Sequence, residues 1–202
     1  MQKIINFFFN NPRFFLIFRN KLQNNLVSEK NLIKKYIKPN KKSNILDFGC
    51  GTGDFCLLFD KSQYIGVDIE KRFIEFAKSR FGGYNFLKIN EGKSLPFKDS
   101  YFDKVLVFGV LHHISDNDIQ RILKELARVL SNSGEIILYD QLPSSEQKKF
   151  FGKVLVKFDR GKFIRENGNL KILLKQYFKI KENYNMLSGP YSLCVFILKK
   201  LN

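Results

Sequence analysis

The apolar positions of this 202-residue chain change rhythm twice. Up to residue 40 they keep helical phase: Leu22, Leu26, Ile33, Tyr36 and Ile37 fall three, four or seven residues apart, the spacing of one helix face. Ser28 with Asn31-Leu32 suits a helix start and Pro39-Asn40 a stop, so two or three helices are expected here. From 44 to 139, short apolar runs alternate with amphipathic ones. Strands are expected over 44–48, 64–68, 84–89, 104–108 and 134–139. Helices are expected over 54–60, 71–80 and 116–130, the last capped by Ser115 or Asp116. Val105-Leu106-Val107-Phe108 is apolar without alternation, the pattern of a strand buried on both faces. Strands alternating with helices give a parallel sheet covered on both sides, hence an α/β fold. After residue 140 come a helical stretch (145–157), a basic loop (159–165), a helix (170–177) and two strands (178–186, 191–199) joined at Ser188-Gly189-Pro190.

Composition narrows the class. With 44% hydrophobic residues and this length, one domain with a sizeable core is expected. Cys50, Cys56 and Cys194 are odd in number and widely spaced. They suggest neither a disulfide framework nor a zinc site; no metal is expected, and a reducing, cytoplasmic compartment is the default. The net charge of +16 is uneven. Residues 1–45 carry ten Lys/Arg against one Glu, residues 46–146 twelve against fifteen acids, and residues 147–202 thirteen against three. A slightly acidic middle thus lies between two basic flanks. The flanks read either as solvated helix faces or as attraction to an anionic partner: membrane headgroups, an acidic substrate or nucleic acid. The first residues have some look of a signal peptide. Asn6, Asn10, Asn11, Pro12, Arg13 and Arg19 interrupt the apolar run, so no exported or membrane-spanning segment is expected. Phe14-Phe15-Leu16-Ile17-Phe18, beside Arg13, Arg19 and Lys21, suits a lid over the core or a peripheral contact with the inner face of an anionic membrane.

The sharpest local signal is Asp47-Phe48-Gly49-Cys50-Gly51-Thr52-Gly53. Three glycines at alternate positions after a strand make a tight turn whose backbone can approach a ligand. The dinucleotide fingerprint wants a glycine where Asp54 stands, and no Gly-Lys-Ser/Thr supplies a P-loop. An acid just before the turn suits a ligand with an amine and a positive centre. At this point the chain resembles the class I S-adenosylmethionine-dependent methyltransferases, most closely their quinone and small-molecule branch. The resemblance runs in order from about Ile45 to Asp140. After the glycine loop come Val67-Asp68-Ile69, Glu91-Gly92 leading to Leu95-Pro96-Phe97, and Tyr101-Phe102-Asp103 with its strand. Leu111-His112-His113, Glu125-Leu126-Ala127-Arg128 and Ser133-Gly134-Glu135 complete it. It implies a Rossmann-like doubly wound sheet of seven strands, mostly parallel with one antiparallel strand near the edge, and helices on both faces. Three stretches follow within one domain: a basic helical lid (1–42), a cofactor-binding core (43–140), and an acceptor-side insertion with closing strands (141–202).

The resemblance also implies roles. Gly49, Gly51 and Gly53, with Cys50 as a small filler, would let the methionine end of S-adenosylmethionine approach the backbone. Asp47 would meet its ammonium, Asp68 both ribose hydroxyls, and Ile69 the adenine face. Glu91, where the family more often has Asp, and Gly92 would meet the adenine edge; Phe108 and Val110 would line the wall by the sulfonium. Methyl transfer by in-line displacement needs alignment and exclusion of water, and a base only where the acceptor loses a proton. His113 or His112 can be that base, or can order the loop. Asp140, Arg160, Lys162, Arg165 and Tyr191 are candidates for the acceptor side, with Arg160 and Arg165 as a fork on a carboxylate or phosphate. The expected acceptor is a small or lipid-like molecule. No Asn/Asp-Pro-Pro-Tyr/Phe motif, common in enzymes that methylate exocyclic amines of bases, follows the fourth strand, which disfavours N-methylation of bases. The alternatives are an RNA or protein methyltransferase using the basic flanks, and a non-catalytic cofactor-binding or membrane-surface protein.

Overall fold

A computed structural model describes residues 11–37, 43–158 and 161–201. Among them six helices, α1 (Pro12–Leu22), α2 (Val27–Tyr36), α3 (Lys71–Arg80), α4 (Asp116–Val129), α5 (Phe150–Phe158) and α6 (Asn167–Lys175), accompany one sheet. Its seven strands are β1 (Ile45–Phe48), β2 (Tyr64–Asp68), β3 (Asn85–Lys88), β4 (Phe102–Phe108), β5 (Leu130–Gln141), β6 (Phe178–Ser188) and β7 (Tyr191–Lys200). They lie in the order β3-β2-β1-β4-β5-β7-β6. β7 is antiparallel to both β5 and β6, so the one reversed strand is second from the edge, as the sequence leads one to expect. Among the described residues no helix is long and apolar enough to cross a membrane.

Side chains alternate about the sheet. On one face Leu46, Val105, Val107, Ile136 and Leu138 meet Ile119, Leu123 and Leu126 of α4 and Leu170 and Leu174 of α6. On the other, Ile45, Leu106, Ile137, Val195 and Ile197 meet Leu32 and Ile33 of α2 and Ile74 and Ala77 of α3. Cover on both sides explains the unbroken apolar runs. Helix starts follow local chemistry: Asn11 caps α1 by accepting from the Arg13 and Phe14 N–H groups, with Pro12 in the first turn. Ser115 caps α4 by accepting from the Asp118 N–H at 3.2 Å. α1 and α2 are joined through Asn24, Asn25 and Leu26, all left-handed, with φ of 47°, 52° and 59°.

Two elements differ from expectation. The helix expected over 54–60 is a short 3-10 turn, Cys56–Leu58. The Leu58 and Phe59 N–H groups bond the Phe55 and Cys56 carbonyls three residues back, and Phe59 is already extended (φ −133°, ψ 157°), so no α-helical turn continues. The helix expected over 145–157 is interrupted, with a 3-10 turn at Ser144–Glu146 and α5 starting only at Phe150. Gln147 breaks it: its Nε2 donates to the Leu142 and Ser192 carbonyls (2.6 and 3.0 Å) and its Oε1 accepts the Ser192 N–H (2.7 Å), which ties it to β7. Strand order reverses at β1 and β4, so the crevice for a ligand lies beyond their carboxyl ends.

Candidate active site

The carboxyl ends of β1, β2, β4 and β5 border one cavity of about 950 Å³, at the upper end of the roughly 300–1,000 Å³ of small-molecule sites. α1 lends it Phe14, Phe15, Phe18 and Arg19. The glycine loop has two different needs. A Cβ on Gly49 (φ +76°) would stand 2.4 Å from Val110 Cγ2, so packing alone demands glycine there. On Gly51 (φ +51°) the nearest atom would be Phe73 Cδ1 at 4.0 Å, and its open side borders the cavity. Cys50 is buried in the loop, and burial pushes its thiol well above the ordinary value, so it is an inert filler. Gly53 backs onto Phe86 and Ala77, outside the cavity wall.

Two carboxylates serve the loop. Asp68 Oδ2 accepts the Gly51 N–H and Oδ1 the Glu70 N–H, both at 2.9 Å, and each oxygen keeps a further lone pair. Burial raises its pKa against those two bonds. Asp47 is 1% exposed and accepts from Tyr64 Oη at 2.6 Å. Burial pushes its carboxyl up to about 7, with Asp68 and Asp54 adding to the rise against the lowering effect of the Tyr64 bond. Ile69 is 48% exposed toward the same space, and Glu91 and Gly92 (φ +78°) follow β3 in the wall. Their loop is held from α4: Glu125 accepts the Leu95 N–H at 2.9 Å, and Arg128 donates to the Leu95 and Phe97 carbonyls. The wall holds six carboxylates (Asp47, Asp68, Glu70, Glu91, Asp118, Glu125) against Arg19, Lys93 and Arg121. In a chain of net charge +16, that local excess of acid favours a cationic ligand.

Phe108 is stacked on Tyr139, with ring centroids 4.5 Å apart, and forms the floor near β4. The two histidines share the turn after β4, with ring centroids 4.0 Å apart, but differ in exposure. His112 is buried and its Nδ1 is hydrogen-bonded to Asp140 Oδ1, whereas His113 is exposed at the rim; both line the cavity. Tyr191 also lines it. Asp140 and Arg165 stand behind the wall. Arg165 pairs with Asp116 and donates to the Leu111, Ile114 and Phe163 carbonyls, so it fastens the histidine turn. Lys162 is likewise outside the wall, and Arg160 lies outside the described residues.

Sequence reading missed Arg19 and Gln141. Arg19 Nη2 donates to Thr52 Oγ1 at 3.2 Å and pairs with Asp54, which also takes Arg80 at 3.0 Å. Burial works against the Asp54 charge, yet Arg19, Thr52 and Arg80 together hold its pKa below the ordinary value. The available signal was an arginine four residues after Phe15, on the helix that carries the phenylalanines; its guanidinium sits 5.0 Å from the Phe15 ring centroid. Among the described residues no three His, Cys, Asp or Glu side chains gather as a metal would require.

Residues 46–138 match the family described as methyltransferase domain. The probable tRNA methyltransferase 9B of Mus musculus is 29% identical over 63% of this chain and 29% of its own length. The demethylmenaquinone methyltransferase of Thermotoga maritima is 31% identical over 54% of this chain and 48% of its own. The chain therefore spans less than half the length of these curated relatives. A solved structure from Thermotoga maritima, described as a SAM-dependent methyltransferase, possible histamine N-methyltransferase, shares the fold. It has a TM-score of 0.71 and 22% identity, covering 96% of this chain and 99% of the other.

Proposed function

We propose, for a chain that belongs to the class I S-adenosylmethionine-dependent methyltransferases, that it methylates a small or lipid-like acceptor within the cavity. One observation carries this reading: the glycine loop, Asp68 and His112 share the wall of a space of about 950 Å³ beneath the phenylalanines of α1. S-adenosylmethionine supplies a methyl group on a positively charged sulfur. The residues present fit that group. Gly51 leaves its Cβ position open, Asp68 retains acceptor capacity for two hydroxyls, Asp47 suits an ammonium, and the acidic wall suits the positive charge.

The chain's own part is alignment, dryness and a proton. Phe14, Phe15 and Phe18 keep water out, and Arg19 latches α1 to the glycine loop through Thr52 and Asp54. Asp140 at Nδ1 favours the tautomer with the proton on that nitrogen, which leaves His112 Nε2 to take a proton from the acceptor. Calorimetric titration with S-adenosylhomocysteine tests the site. Asp68→Ala should weaken binding by about 100-fold, the order expected from losing hydrogen bonds to a charged group; unchanged affinity ends the assignment.

A lipid-like acceptor is favoured by an exposed aromatic pair. Phe150 is 81% and Phe151 57% exposed on α5, which also carries Lys153 and Lys157, and Ile17 on α1 is 67% exposed. Aromatic and cationic side chains side by side suit an anionic bilayer surface. Sedimentation with anionic and neutral vesicles tests this: a Phe150→Ser/Phe151→Ser double variant should lose binding to the anionic ones. The tRNA methyltransferase relative keeps an RNA acceptor as the second reading. Binding to purified tRNA that falls steeply with salt would favour it.

A further inference from the structure

We infer that Gln141 selects the acceptor by donating its side-chain amide to an acceptor oxygen. The acceptor then belongs to the molecules whose oxygen becomes anionic as a proton leaves: phenols, enols and 1,3-dicarbonyls. This rests on the methyltransferase reading above and narrows it.

Gln141 ends β5, is 8% exposed and borders the cavity. Its Nε2 finds no hydrogen-bond partner among the described residues. The nearby buried Gln147, by contrast, uses both ends of its amide on Leu142 and Ser192. A buried amide left over beside a cavity points to a ligand group as its partner.

Strand alternation places Gln141 with the right neighbours. Tyr139 and Gln141 share the cavity side of β5, with Leu193, the cross-strand partner of Gln141, and Tyr191 on β7. Asp140, between them in sequence, holds Nδ1 of His112. Two adjacent positions of one strand thus set a base, through His112, and a neutral donor, Gln141. Among the described residues, the charged and titratable groups about His112 include Asp140 and Tyr139 of β5, His113 of its own turn, and Arg165, bonded to the Leu111 carbonyl. A neutral donor steadies an oxyanion without setting a second full cation against the sulfonium. An amine gains nothing from this pair, because it keeps its proton until the new bond has formed and brings no oxygen for Gln141.

The step balances. His112 Nε2 takes the proton of an acceptor O–H, or of a carbon between two carbonyls. The electron pair left behind forms the bond to the methyl carbon. The pair of the broken carbon–sulfur bond stays on sulfur, which leaves as a neutral thioether, and the products are a methyl ether or C-methyl compound and an imidazolium that returns its proton to water. Gln141 is the donor, and Asp140 is a positioning residue.

The test uses the whole 202-residue chain saturated with S-adenosylhomocysteine and titrated with 4-nitrophenol, whose visible absorbance reports its ionisation. The wild type should bind the phenolate and lower the probe's apparent pKa by about one unit or more. Gln141→Leu and Gln141→Glu should each weaken phenolate binding by about tenfold or more, while binding 4-nitroaniline like the wild type. His112→Asn should leave the bound probe neutral, and Asp140→Asn should move the pH profile toward that of free 4-nitrophenol. Equal affinity of Gln141→Leu and wild type for 4-nitrophenol, or a wild type that binds it neutral or not at all, overturns the inference. Failure of S-adenosylhomocysteine itself to bind would instead remove the methyltransferase reading beneath it.

Discussion

Asp47→Asn should make the unliganded protein more stable at neutral pH. Asp47 is 1% exposed, and burial moves its carboxyl from 3.8 to about 7. In the unfolded chain it ionises near 3.9. Between about pH 4 and 7 the folded state therefore binds a proton that the unfolded state has released, and stability falls as pH rises through that window. At ~1.4 kcal/mol per pH unit, roughly three units put the loss on the order of 4 kcal/mol as an upper bound. Asparagine keeps an oxygen for the Tyr64 hydroxyl and has no charge to bury. The assay is urea unfolding followed by circular dichroism for both proteins at pH 4.5, 6 and 7.5. Glu29, also raised by burial, and Glu125 and Glu135, lowered by their partners, bend both curves alike. The difference between the curves reports Asp47 with its coupling to Asp68 and Asp54, and should grow with pH by about 2–4 kcal/mol, then level off above pH 7. A difference that stays flat within about 0.5 kcal/mol refutes the reasoning, since no buried charge would then be at stake.

The same carboxylate should make S-adenosylhomocysteine affinity rise with pH up to about 7 in the wild type; calorimetry on Asp47→Asn should show weaker binding without that rise. Gly49→Ala and Gly51→Ala should separate folding from binding. The first sets a methyl 2.4 Å from Val110 and should lower stability by about 1–3 kcal/mol or more. The second meets only its positive φ, at a cost of roughly 1–2 kcal/mol, but should weaken cofactor binding by more than about tenfold, because its methyl enters the cavity. Arg19→Met leaves Asp54 with Arg80 and Thr52 and should speed amide exchange across α1 about tenfold or more; unchanged protection would mean that the latch does not hold the helix.

The parts of the fold legible in the sequence were those with one physical cause. The central strands read as unbroken apolar runs because helices cover both faces, and the 116–130 helix announced itself through its serine cap. The 54–60 segment misled because Phe55, Cys56 and Phe59 have helical spacing, while its hydrogen bonds close three residues apart and Phe59 is extended. At the site, the glycine loop, Asp47 and Asp68 are local to strand ends and so visible. Arg19 reaches the cavity only because α1 docks there, and Gln141 only because β7 fixes the face that β5 presents. The two histidines are a matter of phase: adjacent in one turn with rings 4.0 Å apart, His112 bonds Asp140 and His113 stays at the rim.

The joint between α1 and α2 has a consequence for traffic into the cavity. Asparagine tolerates left-handed backbone, but leucine does not, and Leu26 is kept there by its place in the core at 2% exposure. Such a conformation costs an L-residue with a full side chain roughly 1–2 kcal/mol. That tension relaxes once Leu26 leaves its seat, so swinging α1 outward costs less than its contacts alone suggest. The Arg19–Asp54 ion pair, in the last turn of α1 beside that joint, is what opposes the release.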